Sequence, residues 1–319
     1  MQKKRTYFLL IGIAVLLFIG IVLFRYQRTN NSTILSTIKK TVPFIPSNTS
    51  PEGVKNAAVD HIVIITMENK LYSDIVDNED APYINSLIHN YSFTDNYFAV
   101  SHPSLPNYIA LLSGSTQGIT SDCTDCYLHA PNLVDQLEQS QKTWKGYMES
   151  MPSPCFVGSD GKYAQKHNPF MYFDDIRNDP NRCNNVVPFT QLSTDLQSEA
   201  TTPNFIWISP NLCNDMHDCD VATGDQWLSQ QVPLILASPA FKQQKSLLFI
   251  TWDEGEGSDS NQVPMIAVAD WVQSGFVSHI QYSHYSLLHT LEALWQLPPL
   301  NQKTEQSAIM TDIVPNLIQ

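Results

Sequence analysis

Residues 61–69 read "HIVIITMEN", an apolar, β-branched run that ends in an acid and an amide. A strand with one wet face alternates polar and apolar side chains. A run without alternation is that of a strand buried on both faces, typical of a parallel sheet. "NFIWISP" (204–210), "SLLFITWDEGEG" (246–257) and "VPMIAVAD" (263–270) read the same way, and "TWKGYME" (143–149) reads as a further strand. Between them lie helical segments: "APYINSLIHN" (81–90), "APNLVDQLEQSQ" (130–141), "TGDQWLSQQVPLILAS" (223–238) with Thr223 as its cap, and "HYSLLHTLEALWQL" (284–297). The last carries Leu287, Leu288, Leu291 and Trp295 on one face. Strands alternating with helices predict an α/β layered fold with a mainly parallel sheet flanked by helices. The Pro-, Asn- and Asp-rich region around 150–200 reads as a long insertion.

In such sheets ligands bind beyond the carboxyl ends of the strands. Two of these strands end in oxygen donors, Glu68–Asn69 and Asp253–Glu254, and Gly255 and Gly257 let the chain turn sharply there. Carboxylates gathered on one edge repel unless a cation lies among them, and oxygen donors suit a hard ion such as Mg²⁺, Ca²⁺ or Mn²⁺. An ordinary acidic surface turn is the alternative.

"AVSHPSLPNYIALLSG" (99–114) places Ser104 between two prolines, just before a helical pattern that closes on glycine. The start of a helix favours an anion, so a constrained serine there suggests phosphoryl or acyl transfer. As a plain helix cap, Ser104 would need no other partners. His102, His167 in "KHNPF" and His217 in "SPNLCNDMHDCD" stand near these turns. His284 opens a helix on its apolar side, where a hydrogen-bonded core histidine is at least as good a reading as a ligand.

The chain has 319 residues and a net charge of -13, with no Lys/Arg cluster, which argues against a nucleic-acid groove. Residues 7–24, "YFLLIGIAVLLFIGIVLF", carry no charge and would span roughly 27 Å as a helix, close to a bilayer's hydrocarbon core. They follow Lys3, Lys4 and Arg5 and precede no good cleavage site. The expectation is therefore a cytoplasmic tail (1–6), an uncleaved signal anchor (7–24), a flexible linker (25–57) and an extracytoplasmic domain (58–319). A cleaved signal and a secreted protein are the alternative. Six cysteines fit export. Their spacing suggests Cys123–Cys126 and Cys213–Cys219, leaving Cys155–Cys183; a redox CxxC or a zinc site fits the surrounding residues less well.

Six stretches, "HIVIITMEN", "SHPSLPNYIALLSG", "KHNPF", "SPNLCNDMHDCD", "TWDEGEG" and "HYSLLHTLEALW", together resemble the bacterial phosphoesterase family of secreted acid phosphatases and phospholipases C, within the alkaline-phosphatase superfamily. The resemblance covers about Asp60 to Leu300. It implies an alkaline-phosphatase-like fold and one divalent metal ion held by Glu68, Asn69, Asp253, Glu254 and the Ser104 hydroxyl. Ser104 would be the nucleophile that is transiently phosphorylated. His102, His167 and His217 would line the phosphate and leaving-group side, and Asn168 would hold a phosphate oxygen. Two-zinc members of the superfamily carry an acid where this chain has Asn211 and a histidine where it has Glu254, so a single metal is expected.

The expected activity is hydrolysis of phosphate monoesters, small ones or phospholipid headgroups such as phosphatidylinositol 3-phosphate. A phospholipase C cleaving diesters, and a non-catalytic cation-dependent surface module, are the alternatives.

Overall fold

The computed structural model describes residues 59–257 and 260–315. The expected tail, anchor and linker lie outside the described residues, within which no helix is long and apolar enough to cross a membrane. In chain order, the elements that build the site are β1 (His61–Met67), α1 (Pro82–Asn90), β2 (Ser92–Thr94), α2 (Ser104–Ser113), α3 (Leu133–Gln139), β3 (Trp144–Met148), β4 (Val186–Pro188), β5 (Phe205–Ser209), α4 (Val221–Leu236), β6 (Ser246–Trp252), β7 (Met265–Val268), β8 (Val277–Ser278) and α5 (His284–Leu294).

The eight strands form one sheet in the order β4-β3-β5-β1-β6-β7-β2-β8. Strands β4, β3, β5, β1 and β6 are mutually parallel. β1 and β6 lie at the centre and every residue of both is buried, as the apolar runs Ile62–Ile65 and Leu247–Ile250 within them require. Their register pairs Met67 with Trp252, so Glu68 and Asp253 leave the sheet side by side. The connection closes with Asp253 N donating to Met67 O at 2.9 Å.

Strand β7 runs antiparallel to both neighbours. Its four residues are also fully buried, and apolarity reports burial but not direction. The described part of the Asp253–Pro264 connection holds no helix to carry the chain back across the sheet, so it returns beside β6 in the opposite sense.

Helix α4 starts earlier than its sequence suggests. Asp220 is its cap, with Oδ1 accepting from Thr223 N at 2.9 Å and Thr223 Oγ1 at 2.6 Å. Thr223 is thus a donor to the cap rather than the cap itself. Segment 150–200 is more than an insertion, because β4 adds the sheet's edge strand beside β3. All three disulfides pair as the spacing suggests, and Cys155–Cys183 ties this segment together.

Helix α2 runs through the core with all ten residues buried. It stops at Gly114, which has φ of 68° and donates its N–H to Ala110 O at 2.8 Å. A Cβ at that position would approach Asn301 Nδ2 to 2.6 Å, so glycine is required for space as well as for φ.

Candidate active site

Ser104 is the first residue of α2, and Pro103 stands at the cap position. The serine is therefore not the cap. Its hydroxyl instead contacts Glu68 Oε2 and Glu254 Oε1, each at 3.1 Å. The loop that delivers it is held by Asn107: Oδ1 accepts from Val100 N and Ser101 N, both at 3.0 Å, while Nδ2 donates to Ser101 O at 2.9 Å and to Pro103 O at 3.2 Å. Asn261 ties this loop to the acidic one, with Nδ2 donating to Ser101 O and Oδ1 accepting from Gly255 N, both at 2.8 Å.

The acids meet where β1 and β6 end. Glu68 is wholly buried; Tyr108 Oη donates to its Oε1 and Ser104 Oγ to its Oε2. Asp253 Oδ1 accepts from Asn69 N at 3.2 Å, so Asn69 joins the cluster through its main chain. His284 is a core histidine, hydrogen bonded to Asp253 O at 2.6 Å and to Tyr97 Oη at 3.0 Å. Burial, followed by the charges of Asp253 and Asp215, pushes the Glu68 carboxyl well above the usual carboxylate range. Burial and the neighbouring Glu254 push Asp253 up to about 8.

The three expected histidines occupy different settings. His102 Nδ1 pairs with Glu254 Oε2, with its ring about a third exposed at 37%. His167 is buried; its Nδ1 pairs with Asp215 Oδ2 at 3.1 Å, and its Nε2 faces Glu68 Oε1 at 3.3 Å without a hydrogen bond. Burial, then Lys166 and His217, hold His167 well below the usual histidine range, hence neutral. The His217 ring lies 5.5 Å from that of His167, and its Nε2 accepts from Lys166 Nζ at 3.1 Å. Asn168 is buried, donates to Tyr163 Oη at 2.8 Å and leaves its Oδ1 without a partner.

Tyr108, Asp215, Lys166 and Asp122 complete the site beyond the expected residues. Tyr108 follows Ser104 by four positions and so shares its helical face, a signal present in the sequence. Asp215 lies inside "SPNLCNDMHDCD" and is pushed up to about 8 chiefly by burial. Lys166 and Asp122 form an ion pair of 2.9 Å.

These residues fit a divalent cation. Glu68, Asp215, Asp253 and Glu254 are all buried within one neighbourhood, and Asp253 Oδ2 and His167 Nε2 are buried with no hydrogen-bond partner. Donor atoms of Glu68, His167 and His217 also lie within 4.8 Å of one another, so nitrogen donors border the oxygen set. A positive ion there would offset the mutual repulsion and take up both orphaned atoms.

Solved structures share this architecture. A protein of the alkaline phosphatase superfamily from Vibrio parahaemolyticus aligns with a TM-score of 0.52 over 80% of this chain and 71% of its own, at 10% identity. Murine ectonucleotide pyrophosphatase/phosphodiesterase 5 aligns with a TM-score of 0.55 over 81% of this chain and 100% of its own, at 9% identity. At such identities the likeness concerns the fold. In sequence, the phosphatidylinositol-3-phosphatase of Mycobacterium tuberculosis is 37% identical over 79% of this chain and 82% of its own length. An acid phosphatase of Aspergillus fumigatus is 27% identical over 96% of this chain and 70% of its own. Residues 74–298 match the phosphoesterase family, and the chain belongs to that family.

Proposed function

We propose that the protein is a metal-dependent phosphatase that hydrolyses phosphate monoesters through a phosphoserine at Ser104. The observation that carries this is the Ser104 hydroxyl, held at the start of α2 and shared at 3.1 Å by Glu68 and Glu254. A divalent cation held by Glu68, Asp253, Glu254, the Ser104 hydroxyl and Asn69, bordered by His167 and His217, would lower the hydroxyl's pKa and offset phosphoryl charge. Asn211, at the position of a second-metal acid, uses its Oδ1 to accept from Cys213 N and Asn214 N at 3.1 Å each, which supports a single ion.

Ser104 Oγ attacks phosphorus and its proton passes to Glu254, whose other oxygen is already engaged by His102. The Ser104 Oγ–P bond forms as the ester P–O bond breaks. His217, one-quarter exposed at 24%, takes a proton from solvent at Nε2 in place of the Lys166 hydrogen bond and gives it to the leaving oxygen. It then takes a proton from the water that attacks phosphoserine, and Glu254 returns its proton to Ser104 Oγ as the Oγ–P bond breaks, releasing phosphate and restoring the serine. His167, buried and neutral, orients the cluster instead.

The relative named phosphatidylinositol-3-phosphatase supports phosphoinositide monoesters as a substrate class alongside small esters. The three disulfides support an oxidising compartment, consistent with an extracytoplasmic domain anchored through residues 7–24. The test is p-nitrophenyl phosphate hydrolysis by the full chain in detergent, with and without chelator. Wild type should turn over only with a divalent ion. Ser104→Ala should lose about a thousandfold or more in kcat/KM with its circular dichroism unchanged. Retained activity in that variant removes Ser104 as nucleophile.

A further inference from the structure

Resting on that reading, one carboxylate stands where the substrate's phosphoryl group has to go. Leu105, directly after the nucleophile, presents its N–H at the start of the ten-residue helix α2, where an oxyanion is best received. That N–H already donates to Asp122 Oδ1 at 3.0 Å. Asp122 Oδ2 accepts from Lys166 Nζ at 2.9 Å, and the same ammonium contacts His217 Nε2 at 3.1 Å. His217 in turn shares the donor cluster of Glu68 and His167. Lys166 is therefore one contact from the reacting centre, and Asp122 holds both the backbone donor beside Ser104 and this cation. The neighbouring His167 Nε2 is buried and unpartnered, facing Glu68 Oε1, so the centre beside this pair is built around a bound ligand, the cation that a phosphate would approach.

We propose that Asp122 is an internal placeholder for the phosphoryl group. On binding, a substrate phosphate displaces its carboxylate from Leu105 N–H and Lys166, and Lys166 transfers its hydrogen bond to a phosphate oxygen. The exchange needs only side-chain rotation. Around Asp122 the backbone is pinned by the Cys123–Cys126 disulfide, by Tyr172 Oη donating to Cys123 O at 3.0 Å and by Gln165 Nε2 donating to Thr124 O at 3.0 Å. The Asp122 and Lys166 side chains, 27% and 22% exposed, border solvent and so have room to part. Asp122 thereby keeps Lys166 ordered in the free enzyme and sets a threshold that weakly charged ligands fail to cross.

The test measures inorganic phosphate binding to the full chain in detergent with its divalent ion, as the rise in melting temperature with phosphate concentration. Asp122→Asn keeps an oxygen for Leu105 N–H but loses the charge; it should bind phosphate about tenfold more tightly than wild type. Lys166→Gln should bind it about tenfold more weakly. Asp122→Ser serves as a second charge-removing variant should Asp122→Asn fail to fold. Phosphate affinity unchanged or weakened without the Asp122 charge, or unchanged in Lys166→Gln, overturns the exchange. Failure of the wild type to hydrolyse p-nitrophenyl phosphate would instead strike the proposed function, since the binding series is read without turnover.

Discussion

Tyr108 and His167 stack face to face, with ring centroids 5.4 Å apart and planes within 5°. Both address the same atom: Tyr108 Oη donates to Glu68 Oε1, and His167 Nε2 faces that oxygen at 3.3 Å. Tyr108 thereby orients a carboxylate and a histidine of the donor cluster together. Tyr108→Phe keeps the stack and removes only the hydroxyl. The divalent-ion affinity that supports activity should fall about 10- to 100-fold, with turnover recovered at high metal concentration. Titration of activity against metal concentration checks this, and an unchanged midpoint rules out the orienting role.

His217 is the histidine placed to protonate the leaving group, so its importance should scale with leaving-group basicity. His217→Gln should cost about a hundredfold or more in kcat for an alkyl phosphate and much less for p-nitrophenyl phosphate, whose phenolate departs without help. Equal losses on the two substrates would show that His217 acts elsewhere.

Glu292 on α5 is fully buried, with Oε1 accepting from Leu300 N at 2.8 Å and Oε2 unpartnered. Burial pushes its carboxyl up to about 7, against the lowering effect of Leu300 N–H and Gln136. Because the folded value lies above the unfolded one, the folded chain binds the extra proton between them. Stability is thus greatest below about pH 4.5 and is lost as pH rises through about 7, by about 3 kcal/mol in all. Glu292→Gln, which imitates the protonated acid, should match wild type in melting temperature at pH 4.5 and exceed it at pH 8. Parallel melting curves across that range would contradict the assignment.

The Cys155–Cys183 bridge closes the loop that carries Lys166, His167 and Asn168 into the site, spanning a sequence separation of 28. Replacing both cysteines by serine should lower stability by about 2–4 kcal/mol in denaturant unfolding. Catalysis should weaken too, because His167 reaches Glu68 from that loop and not from the sheet. Full activity with full stability would mean the loop is held by packing alone.

The central strands were legible because a strand buried on both faces is dominated by apolar side chains, and β1 and β6 each carry an unbroken apolar run of four residues, Ile62–Ile65 and Leu247–Ile250. Edge strands β4 and β8, of three and two residues, carry no such pattern and were invisible. Glu68, Asp253, Glu254 and Ser104 could be picked out because each directly follows an apolar strand or opens a helix. Asp215, Asp122 and Lys166 could not, since their roles come from partners 17 to 48 positions away, met in loops without periodicity.

The sequence by itself determined the layered α/β architecture, the acids at the strand ends and the serine at the start of a helix. These follow from short-range pattern: burial dictates apolarity, and special backbone dictates proline and glycine. The tertiary structure alone decided that β7 runs backwards, that Cys155 pairs with Cys183, and that Asp122 with Lys166 sits at the start of α2 beside the nucleophile. Those outcomes depend on which segments meet across long separations, and hydrophobic periodicity carries no record of a strand's direction or of a loop's partner.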